Sequence, residues 1–144
     1  MSTDFFGPIH FVRGQHCARY PYSNSVYVEG AGVLIDAGAD RGRYQTLFKE
    51  RGIRELWLSH WHEDHITFID MLDDLPLRQM EIEAEPLTGI EKFLDWYGIH
   101  VKDFRDYWRK TLLEDFNFRP RLATRFFTPG EIIDLGSCTV EILH

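Results

Sequence analysis

The segment Glu55-Leu56-Trp57-Leu58 runs directly into Ser59-His60-Trp61-His62-Glu63-Asp64-His65. The first four residues form an apolar run of strand type. The segment that follows packs four side chains able to bind a metal ion, His60, His62, Asp64 and His65, into six residues, and holds three of the chain's seven histidines. Clustering of this kind reads as a metal site. Its position, in a loop after a buried strand, is where open α/β sheets place their chemistry.

An extended segment sends alternate side chains to opposite sides. His60 and His62 therefore point the same way, while Asp64 and His65 follow as the chain turns toward helix and face an adjacent position. The spacing supplies two neighbouring half-sites rather than one tetrahedral cage. Imidazoles with one carboxylate suit zinc, and also iron or manganese. The cluster contains no cysteine, which argues against a purely structural zinc site. His62-Glu63-Asp64-His65 is not the helical HExxH of zinc proteases, because its histidines are three apart rather than four. Nothing like GxSxG is present to support a serine nucleophile. The isolated His10, His16, His100 and His144 read as surface or satisfied core residues.

Outward from the motif, the chain reads as mixed α/β, a single domain over residues 1–144. Strands are expected over Pro8–Arg13, Asn24–Glu29 and Val33–Ile35, the last two joined as a hairpin by Gly30-Ala31-Gly32. The last of these ends at Asp36-Ala37-Gly38. Tyr44, Leu47 and Phe48 mark an amphipathic helix over Arg41–Arg51 with Gly52 just past its end. Gly14–Ser25 reads as a loop, Ile66–Leu72 as a helix and Gln79–Ala84 as a strand. Thr88 with Glu91 fits a capping box that opens a helix through Tyr97, and Asp103 is placed to cap the next. The aromatic stripes of these two helices are read as core. A lid formed over the site by Trp96, Tyr97, Tyr107 and Trp108 is the lesser reading. Short strands separated by Pro129-Gly130 and Gly136-Ser137 complete the chain.

Net charge is −7, a poor match to a nucleic-acid backbone, which rewards clustered Lys and Arg. The group Arg119, Arg121 and Arg125 is read as a solvated face. No apolar run approaches the roughly 18 residues of a membrane span, and Met1–Phe6 lacks the basic, apolar start of a signal peptide. Cys17 and Cys138 make no disulfide framework. A cytoplasmic location without membrane or nucleic-acid partners is the expectation.

His60-x-His62-x-Asp64-His65 resembles the HxHxDH signature of the metallo-β-lactamase fold superfamily. Val33–Gly38 resembles that family's strand ending in Asp before Gly, and Gly130–Gly136 with Thr139–His144 resembles the hairpin ahead of its next metal-binding loop. The resemblance implies an αββα sandwich, with His60 and His62 serving a first zinc ion and Asp64 and His65 a second. It implies that Asp64 also positions the attacking water, and that Asp36 stands behind the ligands and orients them. Two departures stand out. Ile66-Thr67-Phe68 replaces a small, Gly-containing segment, with bulk expected to reshape the pocket. The family's third His, bridging Asp and final His have no counterpart up to His144, which itself does not match a ligand position. The chain thus resembles the N-terminal half of the fold. Such a half is expected to expose one sheet face and to associate through it, as a homo-oligomer or with a missing C-terminal half. The function implied is a metal-dependent hydrolase, or the N-terminal part of one, acting on a small-molecule substrate such as a thioester or lactone. The alternatives are a non-catalytic metal-binding or assembly module and an iron-containing redox relative.

Overall fold

A computed structural model describes residues 4–143; Met1–Thr3 and His144 lie outside the described residues, and with them the expectations attached to His144 and to the start of the chain. Seven strands form one sheet in sequence order: β1 (Asp4–Phe6), β2 (Ile9–Val12), β3 (Ser25–Val28), β4 (Val33–Ile35), β5 (Glu55–Trp57), β6 (Leu77–Met80) and β7 (Arg125–Phe127). β1 to β4 pair antiparallel, and β4 to β7 pair parallel. The change of direction follows from the connections. A glycine-rich turn suffices to join β3 to β4, whereas parallel neighbours need a crossover. Helix α1 (Arg41–Glu50) provides the crossover from β4 to β5, and α2 (Ile90–Trp96) with α3 (Lys102–Glu114) that from β6 to β7.

The central strands are apolar on both faces, and period-two alternation divides their side chains. Tyr27, Leu34, Leu56, Leu58 and Leu77 face a core that also takes Tyr44 of α1, Phe93 and Leu94 of α2 and Leu112 of α3. Val28, Val33 and Trp57 face the other way with Phe127 and are covered by Ile133, Leu135, Cys138, Val140 and Ile142. These belong to a two-stranded hairpin, β8 (Ile132–Asp134) and β9 (Thr139–Glu141). The architecture is therefore mixed α/β: one helical layer, a large mixed sheet and a hairpin on its far face. The expectation of a bare sheet face is corrected here, because Trp57 is only 3% exposed and Phe127 8%. Arg78 fixes the hairpin in place. Its guanidinium lies over the Phe127 ring at 4.6 Å and donates to both oxygens of Glu131.

The helix over Arg41–Glu50 forms as expected. Asp40 caps it by accepting from the Arg43 N–H at 2.8 Å, and Gly52, at φ +79°, donates to the Leu47 carbonyl. Several local expectations give way to tertiary demands. Ile66–Leu72 does not become an α-helix; short 3-10 turns occupy Glu63–His65 and Ile69–Leu72. The backbone there is stitched to the loop after β4, with the Ala37 N–H donating to His65 O at 2.7 Å and the Phe68 N–H to Ala37 O at 2.9 Å. The strand expected over Gln79–Ala84 ends at Met80, where pairing with β7 ends, and Glu81–Glu83 turn as 3-10. Thr88 does not cap α2: its hydroxyl donates to Glu85 O, while Glu91 is drawn to Arg105 and Arg109 of α3. Asp103 lies inside the first turn of α3, which begins at Lys102 without a side-chain cap. The Gly14–Ser25 loop contains one left-handed turn, with positive φ at His16, Cys17 and Ala18.

Candidate metal centre

Two adjacent parallel strands end at the site. β4 delivers Asp36 and β5 delivers Ser59 and His60. Register between them is maintained past the strand ends by the Asp36 N–H, which donates to Trp57 O at 2.8 Å. Asp36 adopts φ +63°, a left-handed conformation that Asp tolerates better than most residues. Two residues on, Gly38 permits the close approach of this loop to the motif. A Cβ at Gly38 would stand 1.8 Å from the backbone oxygen of Asp64, so only glycine fits.

Asp36 is 7% exposed, and its carboxylate organises the cluster. Oδ1 accepts from the Ser59 N–H, and Oδ2 accepts from the Ser59 hydroxyl and from His65 Nδ1, each at 2.8 Å. Ser59 Oγ also stands 2.9 Å from His60 Nδ1. Two motif imidazoles are thus held by Nδ1, which leaves Nε2 as the ring atom on each that a metal would take. The rings pack closely, His60 to His65 at 4.1 Å between centroids and His60 to His62 at 4.7 Å. Asp64 Oδ2 lies 3.7 Å from His65 Nε2. His62 is exposed and stacks on Tyr97 at 5.5 Å.

The electrostatics separate the two anchored histidines. Burial pushes the His60 pKa down, as does the proximity of His65 and His62. For His65 burial acts in the same direction, but the Asp36 hydrogen bond and the charges of Asp36, Asp64 and Glu63 outweigh it and the pKa rises.

The sequence-nominated residues His60, His62, Asp64, His65 and Asp36 are therefore brought together beyond the C-terminal ends of β4 and β5. Their donor chemistry fits a metal ion: three imidazoles and a carboxylate, two of the rings held from behind through Nδ1. The side chains pack ring against ring, and no three His, Cys, Asp or Glu among the described residues stand as a ready ligand group. His10 is a satisfied core residue, 1% exposed and 2.9 Å from Glu29. Arg119 pairs with Asp73 and Arg125 with Glu55 on the surface, as the solvated-face reading expects, whereas the Arg121 side chain is only 10% exposed and donates to the carbonyls of Leu72 and Leu75, contrary to it. The bulk of Ile66-Thr67-Phe68 turns inward, all three buried, with Phe68 stacked on Tyr22. It therefore fills the core rather than the mouth of the site, contrary to the expectation for this segment.

Glu63 is not among the residues the sequence nominates. This residue sits within the motif yet points away from it, 6% exposed, and accepts from the Tyr20 hydroxyl at 2.8 Å and from the Tyr97 hydroxyl. Burial, these hydrogen bonds and nearby negative charge raise the pKa of both phenols. Tyr97 and Trp96 of the α2 region also reach the motif, Trp96 lying edge-on to Trp61 at 6.1 Å. Trp108 packs against the core, whereas Tyr107 is 62% exposed. The core reading thus holds for Phe93, Leu94, Leu112 and Trp108, and Trp96 and Tyr97 border the site.

Residues 19–76, which include Asp36 and the whole His60–His65 motif, match the family profile described as Metallo-beta-lactamase superfamily. Among solved structures, a motif mutant of a metallo-beta-lactamase from Cronobacter sakazakii is similar at TM-score 0.60 and 21% identity, over 96% of this chain and 52% of that one. The same organism's metallo-beta-lactamase with a HARLDQ motif gives 0.58 and 19%, with the same coverage of 96% and 52%. A beta-lactamase domain protein from Burkholderia ambifaria gives 0.55 and 13%, over 96% and 46%. At these identities the likeness shows the fold, and the chain spans about half the length of these structures. A search of curated proteins gave no match.

Proposed function

We propose that this chain, with its metallo-β-lactamase fold, supplies the first metal-binding half of a metallohydrolase site. The observation that carries the reading is Asp36. One buried carboxylate at the end of β4 holds His65 and, through Ser59, His60, at the end of the neighbouring strand. Such an arrangement orients imidazoles as ligands rather than as surface residues. His60 and His62 would hold one zinc ion, and Asp64 and His65 a second; iron or manganese suits the same donors. Bound there, the metal would supply Lewis acidity and a water acidified toward neutrality. Asp64 would accept a hydrogen bond from the attacking water and aim it. His62, exposed beside Tyr97, would face an incoming substrate. A small acyl compound, thioester or lactone, is the substrate class proposed.

The test is a zinc titration against a chromogenic chelator, followed by assay on a panel of acyl thioesters, lactones and phosphodiesters. Zinc binding that is lost in His60→Ala and His65→Ala, with metal-dependent turnover of an acyl substrate, supports the reading. Zinc binding without turnover of any panel member supports a second reading, a binding or assembly module. Absence of zinc binding, with no other divalent metal taken in its place, overturns both.

A further inference from the structure

Beside the motif lies a cavity of about 220 Å³ lined by Glu63, Tyr97, Ile99, Phe104 and Trp108. Three of its five lining residues are aromatic, and the one charged group is a buried carboxylate. We propose that this cavity binds the alkylammonium head of a small cationic substrate, a reading that rests on the hydrolase site next to it for the word substrate.

Three features carry the assignment. First, Glu63 is buried without a cation: among the described residues no Lys, Arg or His forms an ion pair with it. Burying an uncompensated carboxylate is costly. Tyr20 and Tyr97 offset part of that cost with one hydroxyl each, but a carboxylate has about four lone-pair sites, and two hydroxyls leave two of them. Second, the walls are aromatic. Phe104 and Trp108 meet edge to face at 6.2 Å, and Tyr97 lines the cavity with them. Aromatic rings backed by a carboxylate attract organic cations over neutral groups of equal size. Third, the volume falls below the roughly 300–1,000 Å³ of drug-sized pockets, which suits a headgroup. Tyr97 is shared with the motif, stacking on His62, so the cavity and the motif are neighbours.

The experiment uses the chelator-treated chain and follows tryptophan fluorescence during titration with tetramethylammonium chloride. Neopentyl alcohol, uncharged and of similar shape, is titrated in parallel at matched ionic strength. Tetramethylammonium should bind at least about tenfold more tightly than the alcohol. Glu63→Gln should remove that preference, and Trp108→Leu should weaken the cation alone. Where circular dichroism shows Glu63→Gln unfolded, the alcohol contrast and Trp108→Leu decide. Equal affinities for cation and alcohol, no binding of the cation, or a preference that survives both substitutions would overturn the assignment. The readout needs no metal. Cation binding in a chain that takes no zinc therefore removes the hydrolase reading and leaves the pocket, and zinc binding without cation selectivity does the reverse.

Discussion

His65 Nδ1 donates to Asp36 Oδ2 at 2.8 Å, across the ends of two parallel strands and between residues 29 apart in sequence. The bond fixes the ring of one candidate ligand and leaves its Nε2 free. Asp36→Asn keeps the size but loses the charge and one acceptor, so His65 and Ser59 compete for the remaining oxygen. Zinc affinity should fall about 10–100-fold, read by chelator competition, with the circular dichroism spectrum retained. An unchanged affinity would mean that Asp36 has no part in holding the ligands.

Gly38→Ala tests the contact behind the motif. The added Cβ would meet Asp64 O at 1.8 Å and Ser23 Oγ at 2.3 Å. Backbone cannot rotate away as a side-chain tip can, so the loop must shift. The expected loss is roughly 1–3 kcal/mol, measured by urea denaturation, together with weaker zinc binding because Asp64 moves. Gly89→Ala, where a Cβ would meet nothing within 4 Å, serves as the control.

Acid should loosen the two helices beside the cavity. Hydrogen bonds from Arg109 and then Arg105 hold the Glu91 carboxyl down to about 2 from 4.5. A depressed carboxylate pKa contributes stability above the unfolded value and loses it as pH falls through the folded one. The link between α2 and α3 should therefore weaken from about pH 4.5 toward 2. The group is exposed, so salt should reduce the effect. Glu91→Gln should flatten this part of the pH profile of Trp96 and Trp108 fluorescence; an unchanged profile would assign the acid sensitivity elsewhere.

The hairpin depends on Arg78. Its side chain is 9% exposed and is neutralised by Glu131, so Glu131→Gln leaves a buried guanidinium without its counter-charge. Amide exchange over residues 132–141 should accelerate while that of β3 to β5 stays slow. Equal acceleration in both regions would show that the hairpin is not a separate unit of stability.

Much of this architecture is legible in the amino-acid order, because it depends on local rules. The alternating apolar strands, the α1 stop at Gly52 and the HxHxDH run each declare themselves within a few residues. The spacing of the motif after Leu58 was enough to place it at a strand end, and the Asp36-Ala37-Gly38 segment could be named as its support by resemblance. What stayed hidden depends on partners distant in the chain. Ile66–Leu72 has the composition of a helix, yet its backbone groups are claimed by Ala37. Thr88 and Glu91 spell a capping box, yet Glu91 is captured by two arginines from the next helix.

The motif shows the same division. Its six residues determined by themselves that metal-binding side chains would be neighbours, since period-two geometry and a short turn leave them nowhere else to go. Only the tertiary structure decided which atoms are left to bind. Nδ1 of His60 and of His65 are engaged because β4 and β5 lie side by side, a consequence of the α1 crossover. Only the tertiary structure, too, turned Glu63 out of the motif and under Tyr20 and Tyr97, since a charge between two candidate ligands can find hydroxyls 43 and 34 residues away only once the chain has folded.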